Sequence, residues 1–222
     1  MCGRFTQHLS WADIHALADL VGRPRNLAPR YNIAPTTPIE VLRPVDGGNE
    51  IVPMRWGLVP SWWKKQLSEL PSTFNARAES VADKPMWRSA FTSRRCIIPA
   101  SGFYEWTGKP GSKTPHYFSA PDGEPLAFAG LWERWDSPEG DDVLSATIIV
   151  GEANEWMQRF HDRMPIILDW SDARAWIDGN HPATLLRPAR DDTLQEWIVS
   201  QRVNKAGFGD DDSSLITRME NA

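Results

Sequence analysis

The stretch that decides the fold reads RCIIPASGFYEW and spans residues 95–106. It holds two short runs of apolar and aromatic residues, 95–99 and 103–106, and each has the length and composition of a β-strand. The chain contains 18 prolines. They break the remainder into similarly short pieces and favour short strands with turns over long helices.

The same pattern continues in both directions from this stretch. Further strands are predicted at 39–43, 51–57, 116–119, 126–132, 146–150 and 164–168. Helices are predicted at 11–20, capped by Ser10 with Asp13 at the third position, at 155–160, and at 171–178, capped by Ser171. The absence of βαβ alternation argues against a doubly wound fold. We therefore predict one α+β domain over residues 1–222, with short helices flanking a curved, barrel-like mixed β-sheet and a polar tail that frays after about residue 205.

The composition is that of a soluble globular protein. Hydrophobic residues make up 41% of the 222 residues and charged residues 24%, and no apolar run approaches the ~18–20 residues that a membrane span needs. The first twenty residues lack the basic start and apolar centre of a secretory signal. We expect a cytoplasmic protein with no membrane association.

Charge is distributed unevenly along the chain. The net charge is -5, but residues 1–100 carry 13 Lys+Arg against 8 Asp+Glu, a net of +5, whereas residues 101–222 carry 11 against 21, a net of -10. This asymmetry permits a phosphate-binding surface in the first half without establishing one. Trp62-Trp63 is hard to bury completely, and exposed aromatic residues beside basic ones are typical of platforms on which single-stranded bases stack.

The two cysteines are expected to differ in role. Cys96 lies in an apolar stretch and should be buried as a small hydrophobic residue, and no metal-type cysteine spacing exists. Cys2 directly follows Met1, whose removal would leave a 1,2-aminothiol. Its amine, with a pKa of ~7.7–8.0, can form a Schiff base with an aldehyde, and its thiol, with a pKa of ~8.5, can then close a thiazolidine. An incidental cysteine at the terminus is equally compatible with Met-Cys-Gly alone.

Three other motifs carry groups suited to proton transfer or hydrogen bonding. In TFNARAE, an extended backbone would place Asn75, Arg77 and Glu79 on one face. In GFYEW, the aromatic neighbours of Glu105 should dehydrate its carboxylate and raise its pKa. His161 precedes an apolar segment and can move protons near neutral pH. Taken singly, these motifs also fit a half-buried strand, a Glu–Arg pair and a structural histidine.

Seven short motifs occur in order along the chain: MCGRF at 1–5, RYNIAP at 30–35, MRWGLVP at 54–60, FNARAE at 74–79, RRCIIPA at 94–100, GFYEW at 102–106 and HDRMP at 161–165. Together they resemble the SOS-response-associated peptidase (SRAP) family, which shields abasic sites in single-stranded DNA. The resemblance extends from residue 2 to about residue 168. It implies a single α+β domain around a barrel-like sheet.

The resemblance also implies a role for each candidate catalytic residue. Cys2 would be the nucleophile that forms a thiazolidine cross-link with the deoxyribose aldehyde after Met1 is removed. Glu105 would act as the acid and base, and His161 would assist proton transfer. Asn75 would hydrogen-bond the Cys2 end or the opened sugar. The resemblance also implies lyase and autopeptidase activities.

DNA binding is expected from four further residues that the resemblance singles out. Arg4, Arg77 and Arg163 would contact phosphates, and Trp106 would form a wall of the pocket. The expected partner is single-stranded DNA containing abasic sites, bound by a monomer without metal or cofactor. Two pairs, Trp62-Trp63 and Met86-Trp87, are bulkier than the family pattern in regions expected to shape the DNA channel.

Two other functions remain open at this stage. An N-terminal-nucleophile cysteine hydrolase, either a peptidase or an amidotransferase, can also begin with Met-Cys-Gly, although the six later motifs do not belong to that class. A non-covalent single-stranded DNA-binding module would bind regardless of abasic sites and form no adduct that survives denaturation.

Overall fold

The computed structural model describes residues 2–137, 140 and 142–220. Its strands are β1 (Phe5–Gln7), β2 (Arg30–Ile33), β3 (Pro38–Val45), β4 (Gly48–Trp56), β5 (Asn75–Arg77), β6 (Arg95–Ala100), β7 (Gly102–Thr107), β8 (Thr114–Ser119), β9 (Leu126–Asp136), β10 (Asp142–Glu152), β11 (Arg163–Pro165), β12 (Ile167–Leu168) and β13 (Gln195–Ile198). Its α-helices are α1 (Trp11–Ala18), α2 (Arg88–Ser93) and α3 (Ala173–Asp178). No helix among these residues is long and apolar enough to cross a membrane.

Five strands close into a barrel. Antiparallel pairing joins β4 to β3, β3 to β6, β6 to β9 and β9 to β10. The ring is completed by parallel pairing of β10 with β4. The strands β5, β11 and β12 extend this sheet from β10 and β9. The predicted α+β class and the barrel-like mixed sheet are therefore confirmed.

A second sheet of five strands, in the order β13-β8-β7-β1-β2, lies beside the barrel. Alternation along the barrel strands separates two hydrophobic cores. On β9, Phe128 packs with Phe5 and Phe103 of the second sheet, whereas Ala127 on the opposite face packs with the helices, as does Trp176 of α3. The barrel is thus covered by the second sheet on one side and by helices on the other.

A single arginine joins α2 and α3 to β6. The buried Arg95 guanidinium donates from Nη1 to the carbonyls of Phe91 (2.8 Å) and Thr92 (3.0 Å), at the C-terminal end of α2. Its Nη2 donates to the carbonyls of Ile177 (3.0 Å) and Gly179 (2.9 Å), at the end of α3. A cation at two helix C-termini satisfies carbonyls that the helices leave unpaired and complements both dipoles.

Several predicted boundaries differ from the structure. The capping box of Ser10 and Asp13 is confirmed, but α1 ends at Ala18 because Asp19 adopts a left-handed conformation with φ 47°. The segment predicted as a helix at 155–160 forms only the 3-10 turn Met157–Arg159. Residues 164–168, predicted as one strand, contribute to β11 and β12, which pair with different neighbours.

The start of the third helix was predicted wrongly. Ser171 lies inside a 3-10 turn, Trp170–Asp172, and α3 begins only at Ala173 without a side-chain cap. Helix α2 and the strands β1, β2 and β13 were not predicted. All four are short, and the hydrogen-bonding partners of the three strands are distant in sequence, so local pattern carries little signal for them.

The tail beyond residue 205, which we predict to fray, makes specific contacts in the structure. Residues 213–216 form a 3-10 turn in which Leu215 is fully buried. The amide of Met219 donates to the carbonyl of Ile198 (2.9 Å). Although this segment is mostly polar in composition, the buried side chain of Leu215 and backbone hydrogen bonds together fix it to β13.

We predict that Arg95→Met lowers the free energy of unfolding by roughly 3 kcal/mol, because several buried carbonyls lose their donor at once. Urea unfolding would measure the change. The matched control is Arg88→Met on the exposed face of α2, with an expected change within about 0.5 kcal/mol. Equal effects of the two substitutions would contradict the capping role.

Candidate active site

Strand pairing brings the N-terminus to the candidate catalytic residues. β1 pairs with β7 through Phe5 opposite Phe103, and the amide of Tyr104 donates to the carbonyl of Arg4 (3.0 Å). Glu105, on β7, is thereby carried alongside the start of the chain. On the barrel, β10 pairs with both β5 and β11, which places Asn75 opposite Ile148 and Arg163 opposite Glu152.

Cys2 is fully buried and belongs to the core shared by the barrel and the second sheet. Burial, reinforced by the charge of Glu105, raises the pKa of the Cys2 thiol far above its ordinary value. Its Sγ lies 3.8 Å from the carbonyl oxygen of Arg4. The thiol is therefore held protonated in this environment, and it needs a base nearby before it can act as a nucleophile.

Asn75 fixes the first residues of the chain. Its Nδ2 donates to the carbonyl oxygen of Cys2 (2.8 Å). Its Oδ1 is buried and has no hydrogen-bond partner among the described residues. A buried amide oxygen without a donor is costly, so this atom is suited to accept a hydrogen bond from an amine or a hydroxyl group.

Glu105 is only 4% exposed. Burial raises the pKa of its carboxyl group to about 7; Lys113 opposes this shift and Asp162 adds to it. The increase expected from its aromatic neighbours is confirmed. A carboxyl group that titrates near neutral pH can both donate and accept a proton under physiological conditions.

His161 is held as a neutral imidazole. The amide of Arg163 donates to its Nδ1 (2.9 Å), which assigns the ring proton to Nε2. Asp162 Oδ1 lies 2.8 Å from the same nitrogen, but this side chain is 86% exposed and therefore well hydrated. Burial dominates and lowers the pKa of His161, although Asp162 acts in the opposite direction.

The expected phosphate-binding arginines differ in their surroundings. Arg77 is exposed and makes no side-chain hydrogen bond within the described part of the chain. Arg163 forms an ion pair with Glu79, and both arginines lower the pKa of Glu79. Glu79 follows β5 in a 3-10 turn rather than continuing the strand. The extended segment predicted here is thus correct only for residues 75–77.

Arg4 and Trp106 are held by protein contacts. Arg4 Nη1 donates to Asn32 Oδ1 (2.6 Å) and to the carbonyl of Val203 (2.7 Å). Its guanidinium carbon lies 5.7 Å from the centre of the Trp106 ring, a cation–π distance. Trp106 Nε1 in turn donates to Asn204 Oδ1 (2.6 Å). Sequence analysis gave no sign of these C-terminal partners.

The two pairs of bulky residues, Trp62-Trp63 and Met86-Trp87, lie in different environments. Trp62 is 49% exposed, as expected, with its ring centre 6.1 Å from that of Trp63. Trp87 is buried in the core beneath the helices, with Met86 packed against it. Both side chains of this pair therefore contribute to the core around α2.

Sequence analysis missed Lys113. It is exposed in the β7–β8 turn, and its charge lowers the pKa of both Glu105 and His161. A lysine in a Gly-containing turn six residues beyond the end of β7, the strand of Glu105, is the signal that would have identified it. Both cysteines are free thiols, and Cys96 is fully buried as predicted. Within the described residues, no cluster of His, Cys, Asp or Glu is arranged to hold a metal ion.

Comparisons with known proteins identify the family of this chain. A model of the SOS response associated peptidase (SRAP) family matches residues 1–206. The abasic site processing protein YoqW of Bacillus subtilis (strain 168) is 37% identical, covering 92% of this chain and 94% of its own length. The abasic site processing protein YedK of Escherichia coli (strain K12) is 33% identical, covering 80% and 79%.

A solved structure shows the same fold. The X-ray structure of a protein from Bacteroides thetaiotaomicron superposes with a TM-score of 0.86, covering 99% of this chain and 100% of that one, at 21% identity.

We predict that Glu105→Gln removes a pH dependence from the stability. The folded pKa of Glu105, about 7, exceeds its ordinary value of 4.5. Its contribution to stability is therefore present below the ordinary value and is lost as pH rises through 7. Between pH 5 and 8, wild type should lose about 2 kcal/mol more than the variant. Urea unfolding at both pH values would measure this.

The control is Glu155→Gln, which changes an exposed glutamate and should leave the pH dependence of wild type intact. A Glu105→Gln profile that runs parallel to that of wild type would mean that Glu105 titrates normally in the folded protein.

Proposed function

Because the chain belongs to the SRAP family, we propose that it processes abasic sites in DNA by capturing them covalently through Cys2. One observation carries the proposal: the Cys2 end, held by Asn75, lies in the electrostatic field of a buried carboxyl group with a pKa near 7. Nucleophile, orienting amide and acid–base group are the parts that carbonyl capture requires. We propose that the protein acts in the cytoplasm as a monomer on single-stranded DNA.

Capture begins with the nitrogen of Cys2. Removal of Met1 would leave an α-amine that adds to C1′ of the opened deoxyribose, and loss of water then gives an iminium ion. Glu105 would supply the proton that departs with the water, and neutral His161 would relay protons from Nε2. Asn75 Oδ1, which has no hydrogen-bond partner among the described residues, would accept a hydrogen bond from the amine or from the sugar hydroxyl.

Ring closure follows from the sulfur. Glu105, now ionised, would take the proton of the buried Cys2 thiol, and Sγ would add to C1′ to give a thiazolidine. The balance is one aldehyde and one aminothiol giving one ring and one water. Closure consumes the iminium ion, which would otherwise promote elimination of the neighbouring phosphate. Lyase activity would therefore appear only when closure fails.

DNA binding would use charges around this cluster. Exposed Arg77 is the best candidate for a phosphate contact, because its side chain makes no hydrogen bond within the described residues that would have to be broken. Arg163 would exchange its ion pair with Glu79 for a phosphate. Arg4 and Trp106 would form a rigid wall beside the sugar.

We predict that a heat-stable cross-link requires the free Cys2 terminus. Native protein should form an adduct with an abasic single-stranded oligonucleotide that survives a denaturing gel. Cys2→Ala should form none, because its amine can give only a reversible imine. A form with an extra residue before Cys2 should also fail, because an amide nitrogen does not attack aldehydes. Intact-mass spectrometry would verify each terminus.

The matched control is Cys96→Ala, which removes the other thiol and should cross-link like wild type. Equal yields from the extended and native forms would refute the mechanism. Ammonia released from glutamine would instead support an amidotransferase, and tight binding without any adduct would support a non-covalent binding module. Removal of Met1 in cells lacking methionine aminopeptidase would support autopeptidase activity.

We also predict that Arg77→Ala weakens binding to single strands of every sequence. The logarithmic salt dependence should flatten by ~0.7 if one phosphate contact is lost. Fluorescence anisotropy across a salt series would measure the slope. Arg88→Ala, an exposed arginine on α2, is the control and should leave the slope at its wild-type value. A slope that Arg77→Ala leaves unchanged would assign Arg77 a structural role.

A further inference from the structure

The segment 203–210, which we call the C-terminal clasp, lies across the second sheet. Asp210 anchors it: Oδ1 accepts from the amide of Asn32 (2.9 Å), and Oδ2 accepts from Arg30 Nε (2.6 Å). The Asp210 carbonyl also accepts from the amide of Tyr31 (2.6 Å). The clasp therefore occupies the outer edge of β2, where no further strand pairs.

Asn32 connects the clasp to Arg4. Its side chain is fully buried. Nδ2 donates to the carbonyls of Lys205 (3.0 Å) and Phe208 (2.8 Å), and Oδ1 accepts from Arg4 Nη1 (2.6 Å). The amide nitrogen is thus bound to two carbonyls of the clasp and the amide oxygen to Arg4, so the clasp fixes the direction of the oxygen that holds Arg4.

The beginning of the clasp reaches the same arginine and the adjacent tryptophan. The carbonyl of Val203 accepts from Arg4 Nη1 (2.7 Å), and exposed Asn204 accepts from Trp106 Nε1 (2.6 Å). Both N–H groups of Arg4 Nη1 therefore already donate to other residues of the protein. Nη2 makes no hydrogen bond within the described residues, and Nε is buried without a partner.

We infer that the C-terminal clasp, acting through Asn32 and Asn204, positions Arg4 and Trp106 for contact with the DNA. The physical reason is entropic. A free arginine loses rotamer freedom when it binds a phosphate, whereas Arg4 has already been ordered during folding, and its Nη2 remains available. Asn32 and Asn204 are positioning residues, since they act only through Arg4 and Trp106. The inference rests on the proposed function.

The experiment is a double-mutant cycle between Asn32→Asp and Arg4→Ala. Asn32→Asp keeps an oxygen for Arg4 but turns a carboxylate oxygen towards the carbonyls of Lys205 and Phe208, which should displace the clasp. The half-saturating concentration of abasic oligonucleotide should rise roughly 10-fold, the worth of a charge-assisted contact. The limiting cross-linking rate should change less. In the Arg4→Ala background, Asn32→Asp should add almost nothing.

Two further variants keep the test decisive if Asn32→Asp does not fold. Asn204→Ala changes an exposed residue and should raise the half-saturating concentration about 3-fold. Asp212→Asn is the matched control: it breaks the pair with Arg202 just beyond the clasp and should leave that concentration unchanged. Thermal melts would show whether each variant is folded.

The outcomes separate the two proposals. Absence of a heat-stable adduct with wild type would refute the proposed function. If wild type cross-links, two results would overturn the clasp inference. One is that the effects of Asn32→Asp and Arg4→Ala multiply independently. The other is that the clasp variants lower the melting temperature without raising the half-saturating concentration. Where Asn32→Asp does not fold, an unchanged value for Asn204→Ala would also overturn it.

Discussion

Pairing of β1 with β7 holds the first residues of the chain against the second sheet, and the position of Cys2 depends on this pairing. Phe5 is buried beside Phe103 and Phe128, so the terminus is anchored by apolar packing before any catalytic group contributes. The hydrogen bond from Asn75 then fixes the remaining freedom of the Cys2 carbonyl. A residue close to a chain end, where order is normally low, is in this way fully buried in the core.

The pairing of β1 with β7 also determines the electrostatic environment of Glu105 and Cys2. Glu105 lies on the inner face of β7, where burial disfavours its charge, and the Cys2 thiol is disfavoured as a thiolate for the same reason. Two acids in one low-dielectric cluster cannot both ionise cheaply. Glu105 is the stronger acid of the two, so its carboxylate can take the thiol proton only as the sulfur bonds to carbon. Neutral His161 adds no net charge to the cluster.

Three arginines of the first half of the chain lie in different surroundings. Arg95 caps two helices and stabilises the barrel. Arg4 is held by Asn32 and the C-terminal clasp, and Arg77 is exposed. The basic first half of the sequence therefore does not translate directly into a phosphate-binding surface, because part of its charge is used internally. The clasp also explains why acidic residues near the C-terminus are ordered: Asp210 is paired rather than solvated.

The sequence by itself determined the fold class, the strands β6 and β7 around residues 95–106 and the increased pKa of Glu105, because these depend on composition and near neighbours. It did not reveal the short strands, the C-terminal clasp or the partners of Arg4, since hydrogen bonds between residues almost two hundred positions apart leave no local pattern. Only the tertiary structure decided that Asn75 holds Cys2: strand pairing on β10, and not sequence spacing, sets the distance between them.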